Sequence, residues 1–172
     1  MKIVLFGYMA SGKSFLGEKL AKIIGYSFQD LDAFIEKKEG KSIFEIFSSK
    51  GEIYFRKKET AYLQELIAQP GDAVISLGGG TPCYGNNLNL LLNNPTIKTI
   101  YLKVSIPNLV DRLLVEPNIR PLISHLKTKE DLQEYIGKHL FERSAYYSQA
   151  AFIVDANQDQ KEILDAILKL LV

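Results

Sequence analysis

Short apolar runs alternate along the chain with longer stretches in which apolar residues recur every three or four positions, and this alternation predicts parallel βαβ units. Strands are expected at Lys2–Phe6, Ser27–Gln29, Ala73–Leu77, Thr99–Val104 and Phe152–Val154. Their Val, Ile, Leu and Phe content suits strands covered on both faces. Helices are expected between them. Ser14–Ile24 stops before Gly25, a residue suited to a helix C-terminus, and a short helix is expected over Ala33–Glu39. Ser42-Ile43-Phe44-Glu45 has the spacing of a capping box and opens a helix ending near Gly51. Glu52–Gln69 follows and stops before Pro70-Gly71, Thr128 caps a helix running to about Ser148, and Lys161–Leu171 closes the chain. With no repeat or linker to divide it, the pattern predicts one three-layer α/β domain over residues 1–172, a five-stranded parallel sheet with helices on both faces.

The chemistry starts where the first strand ends. Gly7-Tyr8-Met9-Ala10-Ser11-Gly12-Lys13-Ser14 follows Ile3-Val4-Leu5-Phe6 and precedes a helix, the setting of a phosphate-binding P-loop. Backbone N–H groups of Gly7, Ala10, Ser11 and Gly12 would face one concavity and take phosphate oxygens as partners. Lys13 would lie along the β- and γ-phosphates, the Ser14 hydroxyl would bind Mg²⁺, and Phe15 would sit beside the nucleotide.

Composition narrows the reaction. The 172 residues are 47% apolar and 24% charged, which suits a soluble globule, and a net charge of +1 supplies no global field for nucleic acid or an anionic membrane. No apolar run approaches the roughly 20 residues of a membrane span, and Met1-Lys2 leads straight into a strand, so a cytoplasmic protein is expected, with a monomer as the default. Cys83 is the single cysteine; with His125 and His139 it is expected to pack or face solvent rather than catalyse. The GTPase strings Asn-Lys-x-Asp and Asp-x-x-Gly do not occur, and Ala73–Leu77 ends in Gly78 where a motor ATPase would carry Asp-Glu. Phe152-Ile153-Val154-Asp155 resembles such a strand but reads as an outer strand with a turn aspartate.

Phosphoryl transfer to a small molecule fits the remaining anchors. Asp30-Leu31-Asp32 leaves the second strand at its carboxyl end, where open α/β sheets bind ligands. One carboxylate would serve Mg²⁺ through water and the other would orient an acceptor hydroxyl, although Asp32 would also suit a helix N-cap. Arg56 and Glu59 share a helix face, so the carboxylate would fix the guanidinium for an acceptor anion. Gly78-Gly79-Gly80 admits a substrate ring against the main chain. Arg120-Pro121-Leu122 falls in a candidate lid, residues 115–127, with Arg143 on the next helix. Residues 32–60 would form the acceptor-binding region.

Together these segments resemble shikimate kinase, a P-loop small-molecule kinase family related to nucleoside monophosphate kinases. The resemblance rests on Gly7–Ser14, Asp30-Leu31-Asp32, Ser42–Phe47, Phe55-Arg56 with Glu59, Gly78–Gly80, Arg120-Pro121-Leu122, and Glu142-Arg143 with Tyr147. It implies transfer of the ATP γ-phosphoryl group to the 3-hydroxyl of shikimate, in the route to chorismate and the aromatic amino acids. It further implies Lys13, Asp32 and Arg120 as catalytic, Ser14 and Asp30 at Mg²⁺, and Arg56, Arg143 and Gly78–Gly80 around shikimate. Arg112 and Asn157 would lie near adenine. Two residues depart from the family pattern: Ala10 replaces a glycine, which is tolerable if its φ is not positive, and Phe15 replaces a threonine. Thr81–Asn87 also differs from common family forms. The alternatives are another small-molecule kinase, such as one for gluconate, and an inactive ATP-binding regulatory module.

Overall fold

The computed structural model describes residues 1–116 and 122–172; Arg120 and the middle of the expected lid lie outside the described residues. Among the described residues, five strands form one parallel sheet in the order β2-β3-β1-β4-β5. These are β1 (Lys2–Phe6), β2 (Ser27–Asp30), β3 (Ala73–Ser76), β4 (Ile97–Lys103) and β5 (Phe152–Asp155). β4 begins two residues before the expected Thr99, because Ile97 pairs with Lys2 and so carries the ladder to the start of β1. The order reverses about β1: the chain runs outward to β2, returns through β3, then crosses β1 to β4 and β5. A ligand crevice therefore opens at the carboxyl ends of the central strands.

Side chains alternate across the sheet, and different helices cover its faces. On one face, α1 (Lys13–Ile24) comes so close that a Cβ on Gly17 would lie 2.7 Å from the Phe28 ring and 3.2 Å from Leu5. On the other, Phe6 and Tyr101 pack against Tyr147 of α6 (Lys129–Tyr147), with ring centroids 6.3 and 5.1 Å away. β1 is buried along its whole length, whereas β2 and β5 are partly open, as their edge positions require. Asp155 ends β5 by accepting from the Asn157 backbone N–H, so it is the turn aspartate of an outer strand.

The remaining helices frame the crevice. α2 (Leu31–Glu39) leads to α3 (Ile43–Ala68), whose capping box is complete: Glu45 N–H donates to Ser42 Oγ at 3.2 Å, and Ser42 N–H donates to Glu45 Oε2 at 2.7 Å. Gly51, at φ 81 and ψ 173, breaks α3 into two helical stretches, which matches the expected boundary. α4 (Asn87–Leu92) and α5 (Ile106–Val115) were not among the expected helices, and α7 (Gln160–Leu171) closes the fold as expected. Val115, the first residue of the expected lid, is the last residue of α5. Among the described residues no helix is long and apolar enough to cross a membrane.

Candidate active site

The loop between β1 and α1 is shaped by its glycines. A Cβ on Gly7 would lie 2.7 Å from the Leu102 carbonyl oxygen, and Gly12 holds φ 89 as α1 begins. Ser11 N–H donates to the Tyr8 carbonyl at 3.2 Å, closing a turn whose third residue needs a left-handed conformation. Ala10 occupies that place at φ 62, as the sole non-glycine residue with positive φ among the described residues. The condition for alanine to be tolerated without strain is therefore not met, and the turn is the reason. Lys13 Nζ donates to the Gly7 and Tyr8 carbonyls at 2.9 Å each and to Ser11 Oγ at 3.3 Å. Its charge is held inside the concavity against dipoles that a phosphate can replace.

At the edge of β2, Asp30 is the N-cap of α2: its Oδ1 accepts from Ala33 N–H at 3.1 Å. Asp32 therefore does not take the cap and lies in the first turn instead. Ser14 Oγ donates to Asp30 Oδ2 at 2.5 Å and lies 3.2 Å from Ser76 Oγ, the buried last residue of β3. This cluster of hard oxygen donors fits Mg²⁺. Among the described residues no three His, Cys, Asp or Glu side chains gather as a metal site, so a cation here would draw most of its ligands from phosphate and water. Sequence reasoning missed Ser76. The available signal was a hydroxyl ending an apolar strand; its place opposite Asp30 comes only with the sheet register.

The three consecutive glycines all face ionisable groups. A Cβ on Gly78 would lie 2.9 Å from Asp32 Oδ1, one on Gly79 would lie 3.1 Å from Arg143 Nη1, and one on Gly80 would lie 2.9 Å from Arg56 Nη2 and 3.3 Å from Arg143 Nη2. The backbone thus runs from a carboxylate to a pair of converging guanidinium groups. Burial, reinforced by the negative charges of Asp30 and Glu59 and opposed by Lys13, pushes the Asp32 carboxyl up to about 6. Arg56 Nη1 donates to Glu59 Oε1 at 2.9 Å; Glu59 is 1% exposed, and its second oxygen accepts from Thr81 Oγ1 at 2.8 Å. The fully buried Tyr147 lies beside Arg143, and its hydroxyl donates to the Gly79 carbonyl at 2.5 Å.

A second groove of about 770 Å³ adjoins the loop, lined by Ala10, Gly12, Phe15, Arg112 and Gln158 among others. Phe15 is 46% exposed there, with the Lys19 ammonium 4.3 Å from its ring centre. Arg112 ties the groove together, donating to the Ala10 carbonyl at 3.1 Å and the Ala156 carbonyl at 2.7 Å. The Asn157 side chain is engaged elsewhere: Oδ1 accepts from Ser105 N–H and Asn108 Nδ2 at 2.8 Å each, anchoring α5. Burial pushes the Cys83 thiol up to about 11, so it carries no reactive thiolate near neutrality. His139 Nδ1 lies in a 2.9 Å hydrogen bond with the buried Tyr8 hydroxyl, a packing role.

Known proteins resemble this chain over nearly its whole length. The family model described as shikimate kinase matches residues 9–172. Shikimate kinase of Flavobacterium johnsoniae is 47% identical over 171 residues, covering 99% of this chain and 98% of that protein. The crystal structure of shikimate kinase from Bacteroides thetaiotaomicron superposes with a TM-score of 0.91 at 34% identity, covering 99% of this chain and 98% of its own. The solved structure of shikimate kinase from Acinetobacter baumannii in complex with shikimate gives a TM-score of 0.84 at 29% identity, over 99% of this chain and 92% of its own. Taken with a P-loop opening onto a carboxylate and two guanidinium groups, these matches establish that the chain belongs to the shikimate kinase family.

Proposed function

We propose that this chain transfers the γ-phosphoryl group of ATP to the 3-hydroxyl of shikimate, giving shikimate 3-phosphate and ADP. The observation that carries this reading is the convergence along Gly78–Gly80: a carboxylate at one end, two guanidinium groups at the other and bare main chain between. A six-membered ring with a carboxylate and a hydroxyl two carbons apart fits that layout. Arg56 and Arg143 clamp the carboxylate, Gly79 and Gly80 lie beside the ring, and Asp32 accepts a hydrogen bond from the hydroxyl. With its raised pKa, Asp32 is a stronger proton acceptor than an ordinary carboxylate yet is mostly ionised at neutral pH.

On the donor side, the loop amides and Lys13 hold the β- and γ-phosphates, with Lys13 exchanging the Gly7 and Tyr8 carbonyls for phosphate oxygens. Ser14 directly, and Asp30 through water, would hold Mg²⁺, which neutralises phosphate charge and orients the transferring group. Phe15 and Arg112 border the nucleotide groove. Arg120, outside the described residues, is assigned to the transferring phosphoryl group by family resemblance alone.

ADP release should be measured with ATP, Mg²⁺ and shikimate, gluconate, AMP or no acceptor. Turnover is expected with shikimate alone, with kcat falling about 10²- to 10⁴-fold in Asp32→Asn, the range for loss of a positioned acid or base. Equal turnover with gluconate or AMP would sink the shikimate assignment, and nucleotide binding without turnover would favour a regulatory module.

A further inference from the structure

The segment Thr81–Asn87, where the chain leaves the common family pattern, folds back over Arg56. A 3₁₀ turn, Thr81–Cys83, carries the chain to Tyr84, whose ring centre lies 3.7 Å from the Arg56 guanidinium carbon. That is stacking distance for a cation on an aromatic face. The segment is fastened to α3 by polar bonds: Thr81 Oγ1 donates to Glu59 Oε2 at 2.8 Å, Thr60 Oγ1 donates to Asn87 Oδ1 at 2.8 Å, and Asn87 Nδ2 donates to the Thr81 carbonyl at 2.9 Å. Asn87 and Thr81 are fully buried, so the stack rests on a rigid base.

Arg56 needs that support. Its Nη1 is held by Glu59, but its buried Nε makes no hydrogen bond, its nearest carboxylate being Glu52 at 3.6 Å. One edge of the guanidinium is therefore fixed by a bond while its plane is fixed by the stack on Tyr84. A groove of about 620 Å³, lined by Glu52, Ile53, Arg56, Tyr84 and others, opens beside the pair. Without the ring, the guanidinium has room to tilt toward Glu52 and away from Gly80, where it meets Arg143.

We propose that Tyr84 is a positioning residue that sets recognition of the acceptor carboxylate by holding the plane of Arg56. This rests on the reading of Arg56 as part of the acceptor clamp. Steady-state kinetics of the wild type, Tyr84→Ala, Tyr84→Phe and Arg56→Met, each with its melting temperature, test it. Tyr84→Ala should raise the shikimate KM roughly 5- to 20-fold, within the span of a partly desolvated cation–π contact, with kcat and the ATP KM within about twofold of wild type. Tyr84→Phe keeps the ring and should keep the wild-type KM. The proposal is overturned if Tyr84→Ala leaves the shikimate KM unchanged, if Tyr84→Phe is as damaging as Tyr84→Ala, or if kcat and the ATP KM deteriorate in parallel. A wild type that ignores shikimate would overturn the reaction itself, and an Arg56→Met enzyme with an unchanged shikimate KM would overturn the clamp. Neither matches the failure of Tyr84 alone.

Discussion

Asp32 illustrates how far one side chain's surroundings can conflict with its own ionisation. Its carboxyl, raised to about 6, holds its proton more tightly in the folded protein than in the unfolded chain. Ionisation therefore opposes folding: the stability is fully present below the ordinary carboxylate pKa and is lost as pH rises toward and through 6. Asp32→Asn removes this cost, so at pH 7 it should stabilise the fold by on the order of 2–3 kcal/mol, with little gain at pH 3. Denaturant melts at the two pH values check this, and an equal effect at both would show that Asp32 is not strained by its charge. In the active enzyme, the acidic limb of kcat/KM for shikimate should have an apparent pKa near 6. Ala10 carries strain of another kind. At φ 62 it sits where glycine is easier, so Ala10→Gly should raise stability by up to about 1 kcal/mol, or roughly 2–4 °C in melting temperature.

At the scale of elements, legibility followed the strength of local signals. The capping box at Ser42 and the break at Gly51 were readable because each depends on a few neighbouring residues. Gly51 also yields a clean prediction. Nothing lies within 4 Å of a Cβ there, so Gly51→Ala should cost only the backbone penalty of φ 81 with ψ 173, a region almost confined to glycine, about 1–3 kcal/mol by chemical denaturation. α5 carries signals of its own, a Ser105 cap, Pro107 in the first turn and a stripe of Leu109, Val110 and Leu113. α4 is six residues of Asn and Leu without a side-chain cap, and tertiary packing of Leu88 and Leu91 decides it. In the site, residue types and strand ends could be read from spacing; partners from distant strands could not. Ser76 meets Ser14 across 62 positions, and Asn157 is engaged by α5, relations created only by the folded sheet.

The whole molecule draws its chemistry from one edge. Because all five strands run parallel, P-loop, Asp30, Ser76 and the glycine run leave the sheet on the same side, and helices from both halves of the chain supply the arginines. The proposed donor and acceptor sites thus lie on separate surfaces of one scaffold. Saturating shikimate, at about 100 times its Kd, should add roughly 2.7 kcal/mol to folding stability through binding linkage. Arg56→Met should abolish most of that thermal shift while the shift from ATP and Mg²⁺ persists. Loss of both would mean that Arg56 supports the fold rather than the acceptor.

Gly78, Gly79 and Gly80 form a floor on which no side chain can grow without meeting Asp32, Arg143 or Arg56. For anyone redesigning the enzyme toward a different hydroxy acid, a substitution in that floor displaces one of these ionisable groups. New acceptor preferences must be written into the walls supplied by α2, α3 and α6, leaving the distance between reacting hydroxyl and anchoring anion as the inherited dimension of every variant.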